Sequence, residues 1–156
     1  MISDDAADAL ARAEFFDICD DQQRQLLAFA GDRRQHEPDA VLYQAGDVPD
    51  GAHVLISGTL KAKPEGEIPG KPYAISEPGS VVLTMALILS KPRPVTISAV
   101  TECTTLFVPR HAFMKLVQQS PELAQKAVAR IERDLGSYLG ALEPVGRKMK
   151  PRDSVS

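Results

Sequence analysis

Cysteine is scarce in this chain: Cys19 and Cys103 are the only two in 156 residues. Two thiols are too few for a disulfide scaffold, and no Cys-x-x-Cys pair or histidine cluster suggests a metal. Both read as reduced, partly buried thiols. Histidine is scarce too, with His36, His53 and His111 alone. None has a partner that would form a nucleophile–base constellation, so no catalytic residue is assigned and no enzyme is expected. No apolar run reaches the roughly 18 residues a membrane helix requires. The N-terminus is acidic where a signal peptide would be basic, so a cytoplasmic protein without membrane contact is expected. Net charge is −3, which leaves no global basic field for nucleic acid. The one basic cluster, Arg147, Lys148, Lys150 and Arg152, lies in a tail expected to be disordered.

What is present reads as one domain large enough to bury its own core. Ser3 to Ala13 is an Ala-rich helix, followed by an apolar plug at Phe15 and Phe16. Asp20 and Asp21 can accept from the free amides of a second helix, Gln22 to Ala30. That helix presents Leu26, Leu27, Phe29 and Ala30 and stops at Gly31, read as a left-handed cap. The hydrophobic period then changes from about 3.6 to 2. Short strands follow at Val41–Tyr43, His53–Ser57, Thr59–Lys63, Tyr73–Ser76, Val95–Val100 and Cys103–Val108. Gly58 suits a tight hairpin or bulge, and a turn at Thr101–Glu102 is expected to pair the last two strands. Close-spaced short strands with few helices indicate a jelly roll or barrel. A helix over His111–Gln119 comes next. Ser120-Pro121 then starts a long one, with Ser as N-cap and Pro at the first helical position. Its Ala124, Val128, Ile131, Leu135, Tyr138 and Leu142 follow a heptad seam.

One stretch breaks the pattern. Pro78 to Thr96 holds a glycine turn, an apolar run from Met85 to Leu89, and an arginine between two prolines, Pro92-Arg93-Pro94. It reads as a short helix interrupting a β structure.

The order of elements, over roughly Phe15 to Leu142, resembles the cyclic nucleotide-binding domain of the catabolite activator and protein kinase A regulatory type. Leu42-Tyr43-Gln44-Ala45-Gly46-Asp47, Val54-Leu55-Ile56-Ser57-Gly58-Thr59-Leu60 and Val108-Pro109-Arg110-His111-Ala112-Phe113 carry the resemblance. It implies a mainly β fold with flanking helices, a jelly roll or double-stranded β-helix containing a short cassette helix. The implied parts are an N-terminal helical segment over 1–39, a β roll over 40–109 with the cassette at 78–96, C-terminal helices over 110–143 and the tail over 144–156. In the family the cassette binds the cyclic phosphate at free helix amides and at an arginine. A glutamate nine residues before that arginine accepts from the ribose. Here Arg93 and the Ala86-Leu87 pair match. Thr84 stands in place of the glutamate, Leu83 in place of a glycine, and Val95 in place of a small residue. Pro94 has no amide to donate. Losing a carboxylate and an amide removes about 3–6 kcal/mol, a factor of roughly 10²–10⁴ in affinity.

The ligand-binding candidates are therefore Leu83, Thr84, Ala86, Leu87, Arg93, Pro94 and Val95. Arg93 is either an anion-binding arginine or an exposed one in a Pro-rich turn. Tyr138 is either a cap on a bound base or part of a dimer seam with Val128, Ile131, Leu135 and Leu142. No cofactor is certain, though a cyclic nucleotide or another small anion would suit the cassette. The implied function is a regulatory module acting through another chain, as a homodimer or with another regulatory protein. The alternatives are a ligand-free homodimerising module and a cupin-type protein, which would require histidines the chain lacks. The family's DNA readers carry a helix-turn-helix after the long helix. Glu143 to Ser156 is too short for one, so no DNA binding by this chain alone is expected.

Overall fold

The N-terminal helices form where the sequence supplies their ends and one apolar face. In the computed structural model, which describes residues 2–66 and 70–133, α1 spans Ile2–Arg12. Its Ala6, Ala9 and Leu10 are buried, with Ala13 just beyond, a spacing that places them on one side. A 3₁₀ turn at Phe15–Ile18 buries Phe15 and Phe16. Their rings lie 5.7 and 6.3 Å from that of Phe113, within the range of favourable aromatic pairs. Asp20 caps α2 (Asp21–Ala30) in a reciprocal capping box with Gln23, worth about 1 kcal/mol. Two expectations for α2 are corrected. Its buried residues are Leu27 and Ala28, whereas Leu26 and Phe29 are exposed. Gly31 is not left-handed but extended, with φ −77° and ψ 176°. Glycine is needed there because a Cβ would stand 2.8 Å from the Phe107 carbonyl oxygen.

Among the described residues eight strands follow: β1 Asp32–His36, β2 Val41–Tyr43, β3 Gly51–Ser57, β4 Leu60–Pro64, β5 Tyr73–Ile75, β6 Val81–Val82, β7 Val95–Ala99 and β8 Cys103–Pro109. They form two four-stranded sheets, ordered β1-β8-β3-β6 and β2-β7-β4-β5, with every pairing antiparallel. This is a jelly roll rather than a closed barrel. Tyr43, Leu60, Ala62, Ile97 and Ala99 from the second sheet meet Leu55, Val82 and Cys103 from the first. Burial of each large side chain in that interface contributes about 1.5–3 kcal/mol. Alternation puts Ala52, Val54, Leu106 and Val108 on the opposite, outer face of the first sheet, where all four are buried. There the sheet packs against α1, α2 and α3 (Arg110–Gln119).

Two pairings differ from those expected. β7 and β8 are not partners: β7 pairs with β2 and β4, and β8 with β1 and β3. Likewise β3 and β4 form no hairpin about Gly58. In both places the chain turns a corner from one sheet to the other, so successive strands bury their apolar faces across the core instead of side by side. β1 escapes the sequence reading because Asp32-Arg33-Arg34-Gln35-His36 has no apolar alternation. β6 escapes it because it is two residues long.

The chain divides into two compact units, Met1–Gln119 and Ser120–Ser156. In the second, a helix runs over 121–133. The Ser120 hydroxyl accepts from the Leu123 amide at 3.1 Å, as an N-cap should. Val128 and Ile131 lie on this helix; Leu135, Tyr138, Leu142 and the basic tail lie outside the described residues.

Candidate functional site

The cassette stretch is fixed at its start by glycine. Gly79 has φ +93°, and a Cβ on it would stand 2.9 Å from the Arg12 side chain. Its amide donates to the Leu55 carbonyl at 2.8 Å, and the Leu55 amide donates to the Ser80 carbonyl at 2.8 Å. β6 then leads into Leu83, at φ 62° and ψ 41°. Left-handed backbone costs an L-residue about 1–2 kcal/mol, so a leucine here carries strain that a glycine would not. The following helix is a single 3₁₀ turn, Thr84–Leu87, which stops short of the end of the apolar run at Leu89. Ala86 and Leu87 are buried, Met85 and Ile88 are half-buried, and Leu89 is exposed. Arg110 anchors the turn from α3. Its Nη1 donates to the Pro49 carbonyl at 2.8 Å and to the Ala86 carbonyl at 3.4 Å.

The arginine end is fastened through its backbone. The Arg93 amide donates to the Tyr43 hydroxyl at 2.9 Å, and that hydroxyl donates to the Asp47 carbonyl. The Gly46 amide donates to the Arg93 carbonyl at 3.1 Å. The Arg93 side chain is exposed. Pro94 is exposed too, and its carbonyl accepts from the Glu65 amide at 2.8 Å. Thr96 Oγ1 donates to Glu65 Oε2 at 2.7 Å and accepts from the Ala45 amide at 3.0 Å. Leu83 and Val95 both pack on the core between the sheets. The structure thus joins Leu83 and Val95 at one apolar cluster and sets Thr84 half-buried at the head of the short helix. No hydrogen bond links the Arg93 guanidinium to that helix among the described residues.

Sequence reasoning placed Tyr43 on a strand but missed what its phenol does. A buried tyrosine must satisfy its hydroxyl, and the nearby chain supplies a carbonyl and an amide. His53 was missed as well. It is 4% exposed, and its Nδ1 has no hydrogen-bond partner. Burial first, then the charges of Arg34 and His36, lower its pKa from 6.5 to about 3. His36 is shifted down too, by burial and Arg34, and its Nε2 lies 2.9 Å from Thr105 Oγ1. His53 faces Phe107 across the β3–β8 pairing and lines a cavity of about 330 Å³ that Leu83, Tyr43 and the Asp47–Asp50 loop also bound. Among the described residues there is no group of three or more His, Cys, Asp or Glu that could hold a metal. No described helix is long and apolar enough to cross a membrane.

The family model for the cyclic nucleotide-binding domain matches residues 33–120. No curated protein matches the chain. Among solved structures, a candidate cyclic nucleotide binding protein from Ruegeria pomeroyi superposes with a TM-score of 0.74 at 19% identity. That match covers 92% of this chain and 64% of the other. A cyclic nucleotide-binding-like protein from Brucella abortus gives 0.62 at 25% identity, over 73% of this chain and 98% of the other. The catabolite activator protein of Thermus thermophilus gives 0.69 at 19%, over 85% and 62%. The chain therefore spans about two thirds of the length of the Ruegeria and Thermus proteins.

Proposed function

The chain belongs to the cyclic nucleotide-binding domain family, and from that premise we propose a regulatory module whose cassette does not hold a cyclic nucleotide tightly. It carries no chemistry of its own and signals through another chain. The observation that carries this reading is the hydrogen bond from the Arg93 amide to the Tyr43 phenol. That amide is already used, and Pro94 beside it has none. The head of the cassette helix offers the Thr84 hydroxyl where a carboxylate would accept from a ribose. Leu83 puts an isobutyl group where a bare backbone would let the sugar approach. A helix of four residues also offers an anion little of the dipole that longer helices provide. The Arg93 side chain remains exposed and can still meet an anion, but alone. The expected penalty is about 3–6 kcal/mol, which moves a micromolar site to the millimolar range. Calorimetric titration with cyclic AMP is expected to show no binding tighter than millimolar. A low-micromolar dissociation constant would overturn the proposal.

The heptad seam of the last helix favours a second copy of this chain as the partner, with another regulatory protein as the other candidate. Neither DNA nor a membrane is among the proposed partners.

A further inference from the structure

We propose that the groove lined by Val41, Val48 and the Asp47–Asp50 loop takes the basic C-terminal segment, Arg147 to Arg152, of a second copy of this chain. It rests on the reading of a second copy as the partner, and it adds a contact on the roll itself.

Charge is the first reason. Between Arg34 and Lys61 the sequence has no lysine or arginine, and it has four carboxylates, Glu37, Asp39, Asp47 and Asp50. All four are exposed, and Asp47 and Asp50 line the groove. Among the described residues no hydrogen bond or ion pair engages any of these four side chains. Arg34 also lines the groove, but it is already paired with Asp32 through Nε at 2.8 Å. The C-terminal segment has the opposite sign. From Pro144 to Arg152 it carries Arg147, Lys148, Lys150 and Arg152 and no carboxylate. Opposed charges of this kind steer two surfaces together and fix which partner is accepted.

Shape is the second. The groove measures about 330 Å³, which admits long side chains but not a helix about 10 Å across. Val41 and Val48 line it and are 54% and 55% exposed. Lysine and arginine lay their aliphatic stems on such surface while their charged ends reach carboxylates. Met149, between Lys148 and Lys150, adds an apolar side chain that adapts to irregular gaps. The rim is also preformed. The Asp47 carbonyl accepts from the Tyr43 hydroxyl, the Pro49 carbonyl from the Arg110 guanidinium, and the Asp50 carbonyl from the Arg110 amide at 2.8 Å. A loop held at three carbonyls loses little freedom when a partner docks on it.

The test mixes two full-length chains. One is ¹⁵N-labelled and carries Arg147→Ser, Lys148→Ser, Lys150→Ser and Arg152→Ser, so its groove is read without a basic segment of its own. The other is the unlabelled parent. Adding the parent is expected to move the amide signals of Asp47, Val48 and Asp50 saturably, and raising the salt is expected to reverse the shift. Asp47→Asn with Asp50→Asn in the labelled chain is expected to weaken the response about three- to tenfold. Should that variant fail to fold, the labelled chain with its carboxylates intact still decides. Unmoved groove signals at saturating parent overturn the proposal. So does an equal shift from an unlabelled chain that carries the four serine substitutions. So does a groove that differs between parent and serine variant at every dilution, which would assign it to the same chain's segment. A silent groove in a mixture that still sediments as a dimer leaves the seam intact as the interface, whereas a silent groove in a monomer removes both.

Discussion

His53 is the residue whose cost is easiest to read. Folding moves its pKa from 6.5 down to about 3. The folded protein therefore keeps this ring unprotonated across a window where the unfolded chain binds a proton. Stability is fully present above pH 6.5 and is lost as pH falls from there towards 3, by about 2 kcal/mol at pH 5. Urea denaturation measured from pH 7 to 4 is expected to show that acid slope, and His53→Leu is expected to flatten it by about one proton. An unchanged slope in the variant would place the loss elsewhere. Nothing in His53-Val54-Leu55-Ile56 announces a buried imidazole, because period 2 marks a face but not what the opposite sheet leaves open. Arg93 was legible as a position in a motif. An exposed side chain was one of the two readings left open for it, but its amide bonded to Tyr43 was not legible, since that contact joins residues 50 apart in sequence.

Among the elements, those with a period or a cap were legible, and those set by tertiary pairing were not. The Asp20 and Ser120 caps and the alternating strands β2, β3, β4, β7 and β8 could be read from side-chain pattern alone. Strand partners could not, because a tight turn and a corner between sheets use the same residues. Gly58 illustrates this. It has φ +95°, and a Cβ on it would stand 2.4 Å from the Glu102 carbonyl oxygen, at the other sheet-to-sheet corner. Gly46 has the same φ of +95° with nothing within 4 Å. Gly58→Ala is thus expected to cost about 2–4 kcal/mol, from strain and collision together. Gly46→Ala is expected to cost only about 1–2 kcal/mol, from strain alone. Urea midpoints of the two variants at unchanged m measure the difference. Equal losses would mean that the two corners do not touch as described.

For the molecule entire, self-association is the property that decides between a second copy and another regulatory protein as the partner. The seam through Val128, Ile131, Leu135, Tyr138 and Leu142 repeats by four and three, the spacing that lets two helices interlock. Sedimentation at micromolar concentration is expected to give a dimer, and Ile131→Asp a monomer. A monomeric parent protein would remove the homodimer from consideration. The sheets themselves give little help to such contacts. Three of the four outermost strands, β2, β5 and β6, are three residues or fewer. The fourth, β1, is five residues long and reads Asp-Arg-Arg-Gln-His. A foreign strand docking along β1 would have to strip water from two guanidinium groups and a carboxylate for every ladder it completed. The charges that hid this strand from the sequence reading thus disfavour the pairing of one roll's border with another's.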